Sequence, residues 1–121
     1  MDKIYTLLGF AQKAGKVRTG EEVIAGAIGK KSAALLLVAH DSPDDIKRKM
    51  AALGKARIIP VYLWADKATI GIAIGKSPRN AVLVMDRQMA VEMLNHIDTK
   101  EGLFKNETEI WGCADDKNQS I

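Results

Sequence analysis

Ile4, Leu7, Leu8, Ala11 and Ala14 recur at helical spacing near the start of the chain, and Gly15 follows as a natural stop. A short basic strand, Lys16-Val17-Arg18, comes next. Thr19-Gly20-Glu21-Glu22 has capping-box spacing, so Thr19 is expected to cap a second helix running to about Ile28 on Val23, Ile24, Ala27 and Ile28. Ala33 to Ala39 is a continuous apolar run that reads as a central strand buried on both faces. Ser42-Pro43-Asp44-Asp45 then supplies a cap, a proline for the first helical position and acids for the first turn. The helix it opens carries Ile46, Met50 and Leu53 inward and Lys47, Arg48 and Lys49 outward, and is expected to stop at Gly54.

Ile58 to Leu63 reads as the next strand, with Pro60 constraining its pairing. Asp66 caps a short helix to Ile74, ended by Gly75. Ala81 to Met85 is a further strand, and Asp86 starts a helix with Ala90, Met93, Leu94 and Ile97 on one stripe. This alternation, with right-handed crossovers, predicts an α/β fold: a three-layer α/β/α sandwich around a small mixed sheet of about four strands. Periodicity fades after Asp98. Residues 1–98 therefore read as the sandwich domain, and 99–121 as a C-terminal extension, partly mobile through its last residues, ADDKNQSI.

At 121 residues the chain is long enough for one domain that buries roughly two-thirds of the surface its unfolded form exposes. Its longest wholly apolar run, Ala33 to Ala39, falls far short of the about 20 residues that span a bilayer, so no membrane partner is expected. The opening MDKIYTLLGF lacks a long apolar core with a small-residue cleavage site, so no signal peptide is expected. Cys113 stands alone, which rules out an internal disulfide and a Cys-rich zinc site and fits a reducing cytoplasm. No metal or cofactor is expected.

Net charge is only +3, but it is unevenly spread. Residues 1–80 hold 14 Lys and Arg against 7 Asp and Glu, and residues 81–121 hold 4 against 8. A basic body with an acidic end suits a molecule with one side facing a polyanion.

The chemistry concentrates in the connector Gly15–Glu22. Lys13, Lys16 and Arg18 can pair with phosphates, Gly20 permits close backbone approach, and a helix N-terminus presents free N–H groups. Glu21 and Glu22 fit helix capping and dipole compensation; in an RNA site they would have to accept from base amino groups. A second polar loop, GKSPRN at 75–80, supplies Lys76, Arg79 and the Asn80 amide. His40 and Asp41 follow the buried strand, where open α/β sheets often place ligands, yet no nucleophile or second spaced ligand accompanies them. Asp41 fits a turn or cap better. Neither GxGxxG nor GxxxxGK[ST] occurs after a strand, and Trp64, Phe104 and Trp111 are too scattered for a stacking platform.

Three segments in order, LLGFAQKAGKVRTGEEV, LLLVAHDSPDDIKRKM and IPVYLWADKATIGIAIGKSPRNAVLVMD, resemble a known family. From about Ile4 to Ile97 the chain is similar to bacterial YlxQ-like proteins, of the superfamily that includes large-subunit ribosomal proteins binding RNA kink-turns. The resemblance implies a sandwich that grips kinked RNA with loops at one end. Gly20 matches the family glycine and Glu22 the first residue of its polar pair, while Val23 stands at the second polar position and Gly26 where a Lys donates to guanine. Lys76, Pro78 and Arg79 match the second RNA-facing loop, and Ala39, Asp41 and Pro43 an adjacent loop motif.

These readings together imply a cytoplasmic, non-catalytic RNA-binding protein. Its expected partner is structured RNA, of the ribosome or elsewhere, with no small-molecule substrate. Its expected site is Lys13, Lys16, Arg18, Gly20, Glu21, Glu22, Lys76 and Arg79. Two alternatives remain open at this level. One is a protein-interaction module using the sandwich faces or Leu103, Phe104, Ile110 and Trp111; the other is a small α/β enzyme at His40 and Asp41.

Overall fold

Apolar residues three and four apart turn helix α1 (Lys3–Lys13) inward on Ile4, Leu8 and Ala11, and the Asp2 carboxylate caps it by accepting the Ile4 N–H. The computed structural model describes residues 2–104. After α1 come β1 (Val17–Thr19), α2 (Glu21–Ala27), β2 (Leu35–Val38), α3 (Asp44–Arg57) and β3 (Val61–Leu63). Then follow α4 (Lys67–Ala73), β4 (Ala81–Val84), α5 (Arg87–Leu94), a single 3-10 turn (Thr99–Glu101) and β5 (Gly102–Phe104).

The strands form one mixed sheet in the order β1-β4-β2-β3-β5. β2 and β3 pair parallel; β1 pairs antiparallel with β4, β4 with β2, and β3 with β5. Period-two alternation divides the apolar β2 between two cores. Leu35 and Leu37 pack with α1, α4 and α5 on one face, and Leu36 and Val38 with α2 and α3 on the other. The expected three-layer α/β/α sandwich is the observed one.

Four details depart from expectation. Thr19 ends β1 and does not cap α2: Gly20 takes the N-cap position at φ 92°, with no side-chain cap. Ser42 is likewise no cap. It is buried, its Oγ donates to the Asn80 carbonyl at 2.9 Å, and Pro43 occupies the N-cap of α3. α3 passes through Gly54 to a left-handed Ile58, so β3 begins only at Val61. Gly54 is a packing glycine here, since a Cβ would collide with Val61 and the Ile59 carbonyl. Among the described residues the sheet has five strands, not about four. Gly102–Phe104 continues it beyond 98 against β3, while ADDKNQSI, Ile110 and Trp111 lie outside the described residues.

Candidate nucleic-acid interface

β4 and α2 bring the two polar loops together. β4 begins at Ala81, straight after the 75–80 loop, and its Val82 pairs with Thr19, the residue before Gly20. The loop is pinned from behind: the Lys76 N–H donates to the Gly71 carbonyl at 2.7 Å and the Arg79 N–H to the Lys67 carbonyl at 3.1 Å. Gly71 makes this fit, because a Cβ there would strike the Ser77 and Lys76 backbone. The Arg79 guanidinium crosses to the other lip, Nε donating to Thr19 Oγ1 at 3.3 Å, and also reaches Ser77 Oγ at 2.7 Å.

Between the lips lies a cleft of about 170 Å³. Gly20 and Glu21 form one wall, Pro78, Arg79 and Asn80 the other, and Ile24, Ile46 and Met50 supply apolar surface. Asn80, one of the lining residues, has a buried Oδ1 without a hydrogen-bond partner among the described residues. A buried acceptor left unpaired is uncommon in folded proteins, and a ligand N–H would satisfy it once the amide turned toward the cleft. The volume is well below the roughly 300–1,000 Å³ of small-molecule sites. A single planar heterocycle suits it better.

The expected site residues do not all gather here. Gly20, Glu21 and Arg79 line the cleft, and Lys76 is exposed on the same loop. Glu22 is exposed on the first turn of α2, with no hydrogen bond or ion pair from its side chain among the described residues. Glu21, in contrast, accepts from Lys49 Nζ at 2.8 Å. That hydrogen bond, reinforced by the carboxylate charge, holds the Lys49 ammonium above its ordinary value. Lys16 lies at the other end of the sheet, where its carbonyl accepts from the Met85 N–H at 2.7 Å. The Arg18 guanidinium turns back that way, donating to the carbonyls of Gly15 and Val17 at 3.0 and 2.8 Å. Lys13 borders a separate hollow with Tyr5, Phe10 and Ala73.

Sequence reasoning missed Lys49 and the apolar surface of the cleft. Ile46 and Met50, one turn apart, gave a core signal but none that α3 faces the Gly20 lip.

The His40–Asp41 segment does structural work. Asp41 Oδ1 accepts from the Lys67 N–H at 2.8 Å and so caps α4 beside Asp66, which accepts from the Thr69 N–H. Thr69 hydrogen bonds, the side chain's first, hold the Asp66 carboxyl below its ordinary value. His40 Nε2 lies 3.2 Å from Glu101 Oε2. Among the described residues no acidic, His and Cys cluster could hold a metal, and no helix is long and apolar enough to cross a membrane.

A five-stranded α/β/α sandwich with a cleft framed by a helix N-terminus and a polar loop defines the class: a small α/β/α domain of ribosomal-protein type. The chain belongs to the family described as ribosomal protein L7Ae/L30e/S12e/Gadd45, whose profile matches residues 2–94. It is 29% identical over 94 residues to the RNA-binding protein YlxQ of Bacillus subtilis, covering 78% of this chain and 94% of that one. It is 32% identical over 88 residues to the RNA-binding protein YlxQ of Enterococcus faecium, covering 73% and 84%. A solved Bacillus halodurans protein of unknown function superposes with a TM-score of 0.75 at 27% identity, covering 78% of this chain and 96% of that one. The Giardia lamblia 15.5kD RNA binding protein does so at 0.67 and 15% identity, covering 76% and 82%, which speaks for the fold alone.

Proposed function

We propose that this chain is a non-catalytic RNA-binding protein whose cleft takes one unstacked base of a structured, kinked RNA. The unpartnered Oδ1 of Asn80, a residue that lines a cleft of base-like size, carries this reading. RNA that is read in its sequence is read on splayed-out bases, hydrogen-bonded at their edges and packed on side chains. In this reading Lys76 and Arg79 hold phosphates at the lips, Gly20 lets the α2 backbone approach, and Glu22 accepts from a base amino group. Glu21 acts through Lys49, placing a cation beside the cleft. Lys13, Lys16 and Arg18 add backbone attraction away from it. Val23 and Gly26 offer no side-chain donor, so discrimination falls to the cleft. The names of the two bacterial relatives support the RNA partner. Membership of a ribosomal-protein family and the lone Cys113 support a ribosome-linked, cytoplasmic setting.

The test is titration of a labelled kink-turn RNA, and of the same duplex with its G·A pairs made Watson–Crick, at two salt concentrations. Preference for the kinked RNA should persist at the higher salt. Asn80→Ala should cut that preference by about 5- to 30-fold, the equivalent of about 1–2 kcal/mol for one buried hydrogen bond. Equal binding to both RNAs that collapses with salt would overturn the base-binding cleft; no binding to either would overturn the function.

A further inference from the structure

The end of the sandwich opposite the cleft carries a second charged concavity. It is an open groove of about 430 Å³ where α2 and α3 finish. Its charged lining is Lys30, Lys31, Arg57 and Arg87, with no carboxylate among the lining residues. All four are exposed and none makes an ion pair or side-chain hydrogen bond among the described residues. The nearby Asp86 is engaged as the cap of α5, accepting from the Met89 N–H. Lys16 lies at the same end of the sheet, paired through its carbonyl with Met85.

Helix ends alone do not account for this charge. The C-termini of α2 and α3 each present about half a negative charge, so together they offset roughly one of four cations. Among the described residues, what remains is a net positive groove that can take an anion. Its distance from the cleft follows from the fold. Ala33 lines the groove, and Ala39 sits at the cleft end of β2, where its N–H donates to the Asn80 carbonyl. Six extended residues at about 3.3 Å each separate the two by about 20 Å. Along the route, Arg48 and Lys55 of α3 lie seven residues apart, on one face of the helix, and neither has an acidic partner among the described residues.

We propose that this groove is a second, sequence-independent contact for the RNA phosphate backbone. An RNA arm leaving the cleft would follow α3 and seat on the far end. The proposal rests on the RNA-binding reading and adds a footprint about 20 Å longer. Four exposed cations, with no carboxylate or side-chain amide beside them in the lining, suit phosphates, which position a duplex without reading it.

The test compares two kinked RNAs, one trimmed to the bases around the kink and one with arms extended by about ten base pairs, enough to pass a groove about 20 Å away. For each, affinity is measured against salt for the wild type, for Lys30→Gln/Lys31→Gln/Arg87→Gln, and for Lys76→Gln/Asn80→Ala. The far-end triple variant should lower the slope of log affinity against log salt by up to about three for the long RNA, weaken it about tenfold or more, and leave the short RNA unchanged. The cleft variant should weaken both. An unchanged slope on the long RNA, or equal weakening of the short one, overturns the proposal. If the cleft variant still weakens both, the function stands without it. If neither variant affects either RNA, both readings fall.

Discussion

At Gly71 the molecule has no room for a methyl group, because the Ser77 and Lys76 backbone sits where a Cβ would go. Backbone cannot swing aside as a long side chain does, so Gly71→Ala should cost about 1–3 kcal/mol, seen as a lower thermal midpoint. RNA affinity should fall with it as the 75–80 loop lifts from α4; wild-type stability would show that the loop is not held this way. Asn80 is the opposite case, since removing an already unpaired oxygen should leave stability nearly unchanged. The sequence marked this loop as polar and cationic. It gave no sign that Glu21 meets Lys49, because that pair joins residues 28 apart on different helices.

Elements were legible where caps and periodicity agree, as at Asp66 and Asp86, whose side chains cap α4 and α5 as expected. Thr19 failed as a cap because its hydroxyl is taken by Arg79 and Gly20 supplies the turn. The Asp66 carboxyl, held low in the folded chain, stabilises fully above its ordinary value of 3.8. That contribution is lost as pH falls through the lowered folded value. Asp66→Asn keeps a capping side chain without the titration, so its thermal midpoint should fall less steeply than the wild type's below pH 3.8. Parallel curves would show that the cap does not titrate as described. β5 escaped notice because three half-buried residues carry no period. A chain ending at Asp98 would expose β3 as an edge and uncover the packing of Leu103 and Phe104. Its midpoint should drop by roughly 5–10 °C and it should self-associate in light scattering; an unaltered monomer would show that β5 adds nothing.

For the whole molecule, the apolar pattern was enough for the layers, while the site needed the sheet. In the sequence Lys13, Lys16, Arg18 and Gly20 form one cluster. β1 then carries the chain from one end of the sandwich to the other, leaving Lys16 by Met85 and Gly20 by Asn80. Charge that reads as one site in the sequence is thus divided between two ends, and cations from distant segments, Lys30, Arg57 and Arg87, assemble at the far one.

The Arg79–Thr19 hydrogen bond joins the two lips of the cleft before any ligand arrives. Loops that must be ordered on binding give up conformational entropy at that moment, about 0.5–1.5 kcal/mol for each immobilised side chain. Here that ordering is done during folding for Arg79 and Thr19, so an incoming base meets these two lip residues already placed and that part of the cost does not fall on binding.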